Sequence, residues 1–199
     1  MEEKIIQTAR GLFALYGIKT VSMDKISKEL RISKKTIYGY FGNKDELVYK
    51  VIETSLHELI QDVEKENSSE NSPVKKTLIY GNKIMNWLNS FCPAFRKDLN
   101  GFQRANCLLQ EKQQHFYQLC LVNLKEGQNK GFFLTTPNDQ VLSGICYFLI
   151  STIHRENKDD QYTYYIPDIV ITFLRGICTE KGLTELQQYA NVNQVPQYY

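Results

Sequence analysis

The chain has 199 residues, 42% of them hydrophobic, and a formal net charge of +2. That composition can bury a core, which excludes general disorder, and the length suits a small first domain and a larger second one. No run approaches the roughly twenty apolar residues of a spanning helix, and the N-terminus lacks the apolar stretch of a signal peptide, so no membrane partner and a cytoplasmic location are expected.

The charge is unevenly placed. Residues 1–50 hold ten Lys/Arg against six Asp/Glu, net +4, and the rest holds 14 against 16, net −2. A basic head on a slightly acidic body suits a polyanionic partner. Chance asymmetry gives four charges too. Five cysteines (Cys92, Cys107, Cys120, Cys146, Cys178) stand singly with no C-x-x-C pattern, which reads as buried, reduced thiols.

In chain order, Glu2 to Tyr16 is predicted as a first helix. Ile6, Ala9, Phe13 and Tyr16 recur at helical spacing, and Gly17 can end it. Ser22 can cap a second helix whose Met23, Ile26 and Leu30 form one stripe. Arg31-Ile32 breaks the period. Ser33 offers another cap, and residues 34–41 make about two turns. Asn43 with Glu46 three residues on is a capping-box pattern that opens a much longer helix.

Two short helices across a three- to four-residue turn make a helix-turn-helix. The second is too short to bury much and carries Lys34, Lys35, Thr36, Tyr38 and Tyr40. Ammonium and hydroxyl groups suit phosphates, Lys and Thr suit base edges, and the Thr methyl suits thymine. Lys34, Lys35, Thr36 and Gly39 are therefore expected near base edges, Gly39 because a missing side chain permits close approach. Tyr38, Tyr40 and Lys44 are expected to hold phosphates, with Ser22, Lys25 and Ser33 adding backbone contacts. A solvated basic face is the bland alternative.

These residues resemble the tetracycline-repressor-like (TetR) family of bacterial regulators. The match runs through Ile6-Gln7-Thr8-Ala9-Arg10-Gly11-Leu12-Phe13, Tyr16-Gly17, Ser22-Met23-Asp24 and Ile26-Ser27-Lys28-Glu29-Leu30. It continues through Ser33-Lys34-Lys35-Thr36-Ile37-Tyr38-Gly39-Tyr40-Phe41 and Asn43-Lys44-Asp45-Glu46-Leu47. The most specific part is Tyr-x-Tyr-Phe followed by a Lys at the next helix start. The resemblance departs at Arg31, a turn position where such proteins usually carry Gly. A left-handed backbone there costs Arg roughly 1–2 kcal/mol. A phosphate contact or a differently shaped turn would account for it.

Beyond the head, residues 45–66 carry Val48, Ile52, Leu56, Leu59 and Val63 on one helical stripe. Residues 67–73 form a polar break, followed by predicted helices over 74–91, 94–100 and 103–128, the last loosened by Gly127 and Gly131. Thr136-Pro137-Asn138-Asp139 reads as a helix start. The polar 155–161 segment ends that helix, and a final one from Ile166 closes near Gly182. The fold class is all-α, about nine helices. The domains are a helix-turn-helix DNA-binding head at 1–46, a ligand-binding and dimerisation bundle at 47–182, and a tail at 183–199.

No phosphate loop, zinc motif or nucleophile elbow occurs, and His57, His115 and His154 are isolated, so neither an enzyme nor a cofactor or metal site is expected. The resemblance implies a second domain that binds a small ligand, and last long helices that pair across a homodimer. Tyr80, Ile84, Trp87, Phe91, Phe102, Phe116 and Cys120 are the pocket candidates for an apolar or amphipathic ligand, with plain core packing as the alternative. Leu142, Ile145, Leu149, Ile153, Ile169, Phe173 and Ile177 are the dimer candidates, since the last helices are apolar over wide faces. The expected function is a ligand-responsive repressor that binds double-stranded DNA at a palindromic operator. A helical protein-interaction adaptor, or a ligand-binding protein without DNA function, is the alternative.

Overall fold

The structure is a computed structural model that describes residues 1–136, 138, 140–142, 144–145 and 166–192. Among these, nine helices carry the fold: α1 (Glu2–Tyr16), α2 (Met23–Glu29), α3 (Lys34–Tyr40), α4 (Lys44–Ser69), α5 (Pro73–Asn89), α6 (Pro93–Leu99), α7 (Gln103–Asn129), α8 (Ile166–Ile177) and α9 (Glu180–Val192). Residues 140–142 and 144–145 are helical as well. The described residues contain no strand, only an isolated bridge between Phe133 and Cys178. None of their helices is long and apolar enough to cross a membrane. The expected all-α class holds.

The chain divides into two compact units. The first comprises Met1–Ile60 and Asn86–Lys112; the second comprises Gln61–Met85 and Gln113–Tyr199. This differs from a head that ends at residue 46. The first unit takes in the start of α4, and α6 joins it because its polar groups serve the end of α1. The Asp98 carboxylate accepts a hydrogen bond from the Lys19 backbone N–H (2.7 Å), and Cys92 N–H donates to the Ala14 carbonyl (2.9 Å). Gly17, at φ 81°, lies so close to α6 that a Cβ would sit 2.9 Å from the Ala94 Cβ.

The apolar stripes do most of the folding. Ile5, Ala9, Phe13, Ile26 and Ile37 are fully buried in the first unit, with Phe41, Leu47, Val48 and Ile52. Each of these side chains larger than alanine contributes roughly 1.5–3 kcal/mol on leaving water. Tyr16 and Leu30 depart from the expected stripe. Tyr16 is exposed, with the Lys25 ammonium 3.7 Å from its ring centroid, and Leu30 is half-buried at the helix end.

In the second unit Val74, Leu78, Leu124, Phe133, Leu174 and Ile177 form one buried cluster with Leu142 and Leu186. Gly127 is part of that packing and not a loosened end. A Cβ there would run into the Phe133 ring, while Gly131, at φ 72°, provides the actual turn out of α7. The helix after residue 136 is capped by Asn138, whose Oδ1 accepts from Val141 N–H (3.0 Å), so the cap lies two residues after Thr136. The tail expected from 183 is helical through Val192. Thr179 caps that helix, with Oγ1 accepting from Gly182 N–H (3.3 Å), and Leu186 anchors it in the core.

Candidate nucleic-acid interface

Helices α2, α3 and α4 are each started by a short polar side chain, whereas α1 begins at Met1 without one. Ser22 Oγ accepts from Lys25 N–H (3.1 Å), Ser33 Oγ from Thr36 N–H (3.0 Å) and Asn43 Oδ1 from Glu46 N–H (2.8 Å). The Glu46 carboxylate reaches back to Gly42 N–H at 3.0 Å, one residue before the usual capping-box partner. These bonds satisfy donors that a helix start leaves open. They also occupy the Ser22 and Ser33 oxygens, and Ser33 Oγ lies 2.8 Å from Thr36 Oγ1 as well.

Helix α3 is held from one side only. Ile37, fully buried, and Phe41, just beyond the helix, point into the unit one turn apart. On the outside stand Lys34, Lys35, Tyr38, Gly39 and Tyr40, with Tyr38 49% and Tyr40 46% exposed. A Cβ on Gly39 would meet nothing within 4 Å, so the protein's own packing does not require glycine there. Of the two lysines, Lys34 is paired with the Asp24 carboxylate on α2, a partner that sequence reasoning missed. Lys35 has no ion pair among the described residues.

The turn between α2 and α3 shows what Arg31 does to the backbone. Ile32 N–H donates to the Ser27 carbonyl (3.0 Å) and Arg31 N–H to the Lys28 carbonyl (3.1 Å). That is the Schellman pattern, which places a left-handed residue just past the helix end. Arg31 has φ 54°, the one positive value outside glycine among the described residues. The turn is therefore the ordinary one, with Arg in the glycine position.

Lys44 opens α4 and is half-buried. Burial lowers its ammonium below the ordinary lysine value, while Asp98 and then Asp45 oppose that shift. Asp98 is itself buried and held by Lys19, so the expected phosphate ligand sits beside a carboxylate that no sequence motif announced.

The other candidates fall as follows. Trp87, Phe91 and Phe102 belong to the first unit and Tyr80, Ile84, Phe116 and Cys120 to the second. Trp87 and Phe91 are committed to packing: Phe91 stacks on Phe95 at 4.2 Å, and Trp87 Nε1–H donates to Ser55 Oγ (2.6 Å). Tyr80 is buried, with its hydroxyl pushed up to about 12, chiefly by desolvation. Leu142 and Ile177 lie in the second unit's own core and are withdrawn as dimer candidates. Ile145 is 40% exposed, Ile169 and Phe173 are half-buried, and Leu149 and Ile153 lie outside the described residues. Cys107 is exposed, contrary to the expectation of buried thiols. Among the described residues no cluster of metal-ligand side chains occurs.

The comparisons with known proteins bear on head and fold separately. Residues 5–51 match the model of the bacterial regulatory proteins of the tetR family. An HTH-type transcriptional repressor of Streptomyces coelicolor is 39% identical over 56 residues, 28% of this chain and 29% of that protein. An HTH-type transcriptional regulator of Staphylococcus aureus is 39% identical over 54 residues, 27% of this chain and 29% of that protein. The match thus spans less than a third of these relatives' length. In fold, a transcriptional regulator of Saccharomonospora viridis in complex with choline aligns with TM-score 0.71 at 16% identity, over 90% of this chain and 98% of that one. A TetR-family regulator of Agrobacterium tumefaciens aligns with TM-score 0.69 at 16% identity, over 89% and 97%. The head thus matches the TetR-family model in sequence over residues 5–51, and the chain shares the fold of these solved regulators.

Proposed function

We propose that this chain is a cytoplasmic transcriptional regulator, a ligand-responsive repressor that binds a palindromic operator as a homodimer. One observation carries the reading: α3 is anchored by Ile37 and Phe41 and presents Lys35, Tyr38, Gly39 and Tyr40 outward with no internal use for them. A helix held this way can enter a major groove, which admits one α-helix. Lys35, Thr36 and Gly39 face base edges, and Tyr38, Tyr40 and Lys44 hold phosphates. Lys34 joins them once it leaves Asp24. Ser22, Ser33 and Lys25 lie at the edge of this surface, the two hydroxyls setting the helices.

Two copies are needed, because one helix reads too few base pairs, and paired heads read half-sites about one helical turn apart or a multiple of it. Exposed Val141 and Ile145 and half-buried Ile169 and Phe173 supply an apolar face for the partner copy. A small apolar or amphipathic ligand of the second unit acts by favouring one arrangement of α4. It shifts that equilibrium only by its difference in affinity for the two arrangements.

The test is a gel shift on the DNA flanking the chain's own coding region, followed by site selection and titration at several salt concentrations. Wild type is expected to select a palindrome. Lys35→Ala relaxes the consensus, each good base contact being worth about 1–3 kcal/mol. Lys44→Ala weakens binding to every sequence and reduces the salt slope by about one unit per head. Failure to bind any duplex leaves the adaptor reading in its place.

A further inference from the structure

Arg31 stands in a backbone conformation that glycine adopts freely and other residues do not, at φ 54° in the turn that leads into α3. The hydrogen bonds of Ile32 to Ser27 and of Arg31 to Lys28 fix that conformation, so the residue cannot relax without opening the turn. Strain of this kind persists where the surroundings over-determine it, and it gathers at functional positions. The side chain gains nothing inside the protein. Arg31 is exposed, and among the described residues its guanidinium has no ion pair and no hydrogen bond. The residue therefore bears a local penalty with no internal return, two residues before the cap of the helix that presents Lys35 and Tyr38.

We infer that Arg31 is a nucleic-acid phosphate contact, a fork of N–H donors that clamps the duplex backbone beside the groove α3 enters. Guanidinium suits that task because it stays charged and binds phosphate oxygens in pairs. The contact positions the head without reading sequence. It rests on the DNA-binding reading above.

Three variants separate the charge from the strain. Arg31→Gly removes both, Arg31→Ala removes the charge and keeps the strain, and Arg31→Lys keeps both but loses the paired donors. Arg31→Gly is expected to melt a few degrees higher than wild type and yet bind DNA about five- to tenfold more weakly at 0.1 M salt, with a salt slope lower by about one unit per head. Arg31→Ala should show the same loss of slope without the gain in melting temperature. Arg31→Lys should restore the slope and only part of the affinity. Both specific and random duplexes should weaken alike. If Arg31→Gly gains stability while its slope and affinity match wild type, Arg31 touches no phosphate. If wild type itself binds no duplex, the DNA-binding reading fails first. A loss confined to one operator sequence would overturn the backbone assignment in favour of a base contact.

Discussion

In the first unit the oxygens of Ser22, Ser33 and Asn43 each close a helix end three residues away, and of the outward lysines and tyrosines of α3 only Lys34 has an ion pair among the described residues, with Asp24. In the second unit polar side chains tie distant segments together. Asn123, 3% exposed, donates to the Pro73 carbonyl and to Thr77 Oγ1, and the Lys76 ammonium meets the Glu126 carboxylate at 3.0 Å. The helix starts of the first unit follow short-range rules, with Asp98 and Ser55 adding long-range ties, and α3 leaves a surface over for a partner. The second turns its polarity inward and takes its shape from packing. Function can be read from a residue only where the fold does not already use it.

The largest effects test whether the two units hold themselves independently. The single tryptophan, Trp87, lies in the first unit with its indole bonded to Ser55, so its fluorescence reports that unit alone. Ile37→Ala is expected to cost about 2–5 kcal/mol and to move the fluorescence transition in urea to lower concentration. Leu174→Ala, fully buried in the second unit's cluster, should cost a similar amount but move mainly the far-ultraviolet dichroism. Coincident shifts of both signals in both variants would mean that the units unfold as one.

Two helical glycines sharpen the comparison at the next scale. At Gly127 an added methyl runs into the Phe133 ring, so Gly127→Ala should destabilise by about 1–3 kcal/mol. At Gly39 the methyl meets nothing, so Gly39→Ala should stabilise by about 0.5–1 kcal/mol through helix propensity. The same methyl stands where a duplex would approach, so Gly39→Ala should also weaken operator binding. Calorimetry and a gel shift on one preparation decide both points. A Gly39→Ala protein that binds as well as wild type would remove Gly39 from the interface.

These contrasts explain what the sequence made legible. The head was read almost to the residue, because Ser22, Ser33 and Asn43 are local signals and Ile26 and Ile37 recur at helical spacing. What escaped there was long-range. Nothing near Asp98 announces that it binds the Lys19 backbone 79 positions earlier, and nothing near Asp24 announces Lys34. In the second unit the apolar stripes located the helices but not their partners. Leu142 and Ile177 looked like spare surface because periodicity marks an apolar face without saying what covers it. Gly127 looked like a flexible end because only the fold brings Phe133 onto it. The last helix was missed past Gly182, although Thr179 before Glu180 was a usable cap signal.

A cap tests the local rule directly. Asn43→Ala removes the oxygen bonded to Glu46 N–H and should cost about 0.5–2 kcal/mol. Because α4 starts at Lys44, the proposed phosphate contact, the variant should also lose some affinity at every sequence. Stability unchanged in urea would show that Glu46, bonded to Gly42, holds the helix start unaided.

The smallest expected change in stability belongs to the Asp24–Lys34 pair. Both side chains are well exposed, 44% and 61%, so the pair should be worth about 0–1 kcal/mol. Asp24→Asn is therefore expected to leave the urea midpoint nearly where it was. Its effect on DNA should be larger and opposite in sign, since it removes a negative charge beside the duplex and frees the Lys34 ammonium. Affinity should rise several-fold at low salt, and the salt slope should steepen by up to about one unit per head. A variant that loses stability but binds no better would place Lys34 among the groups the fold uses for itself, and the surface left for DNA would shrink to Lys35, its tyrosines and the turn before them.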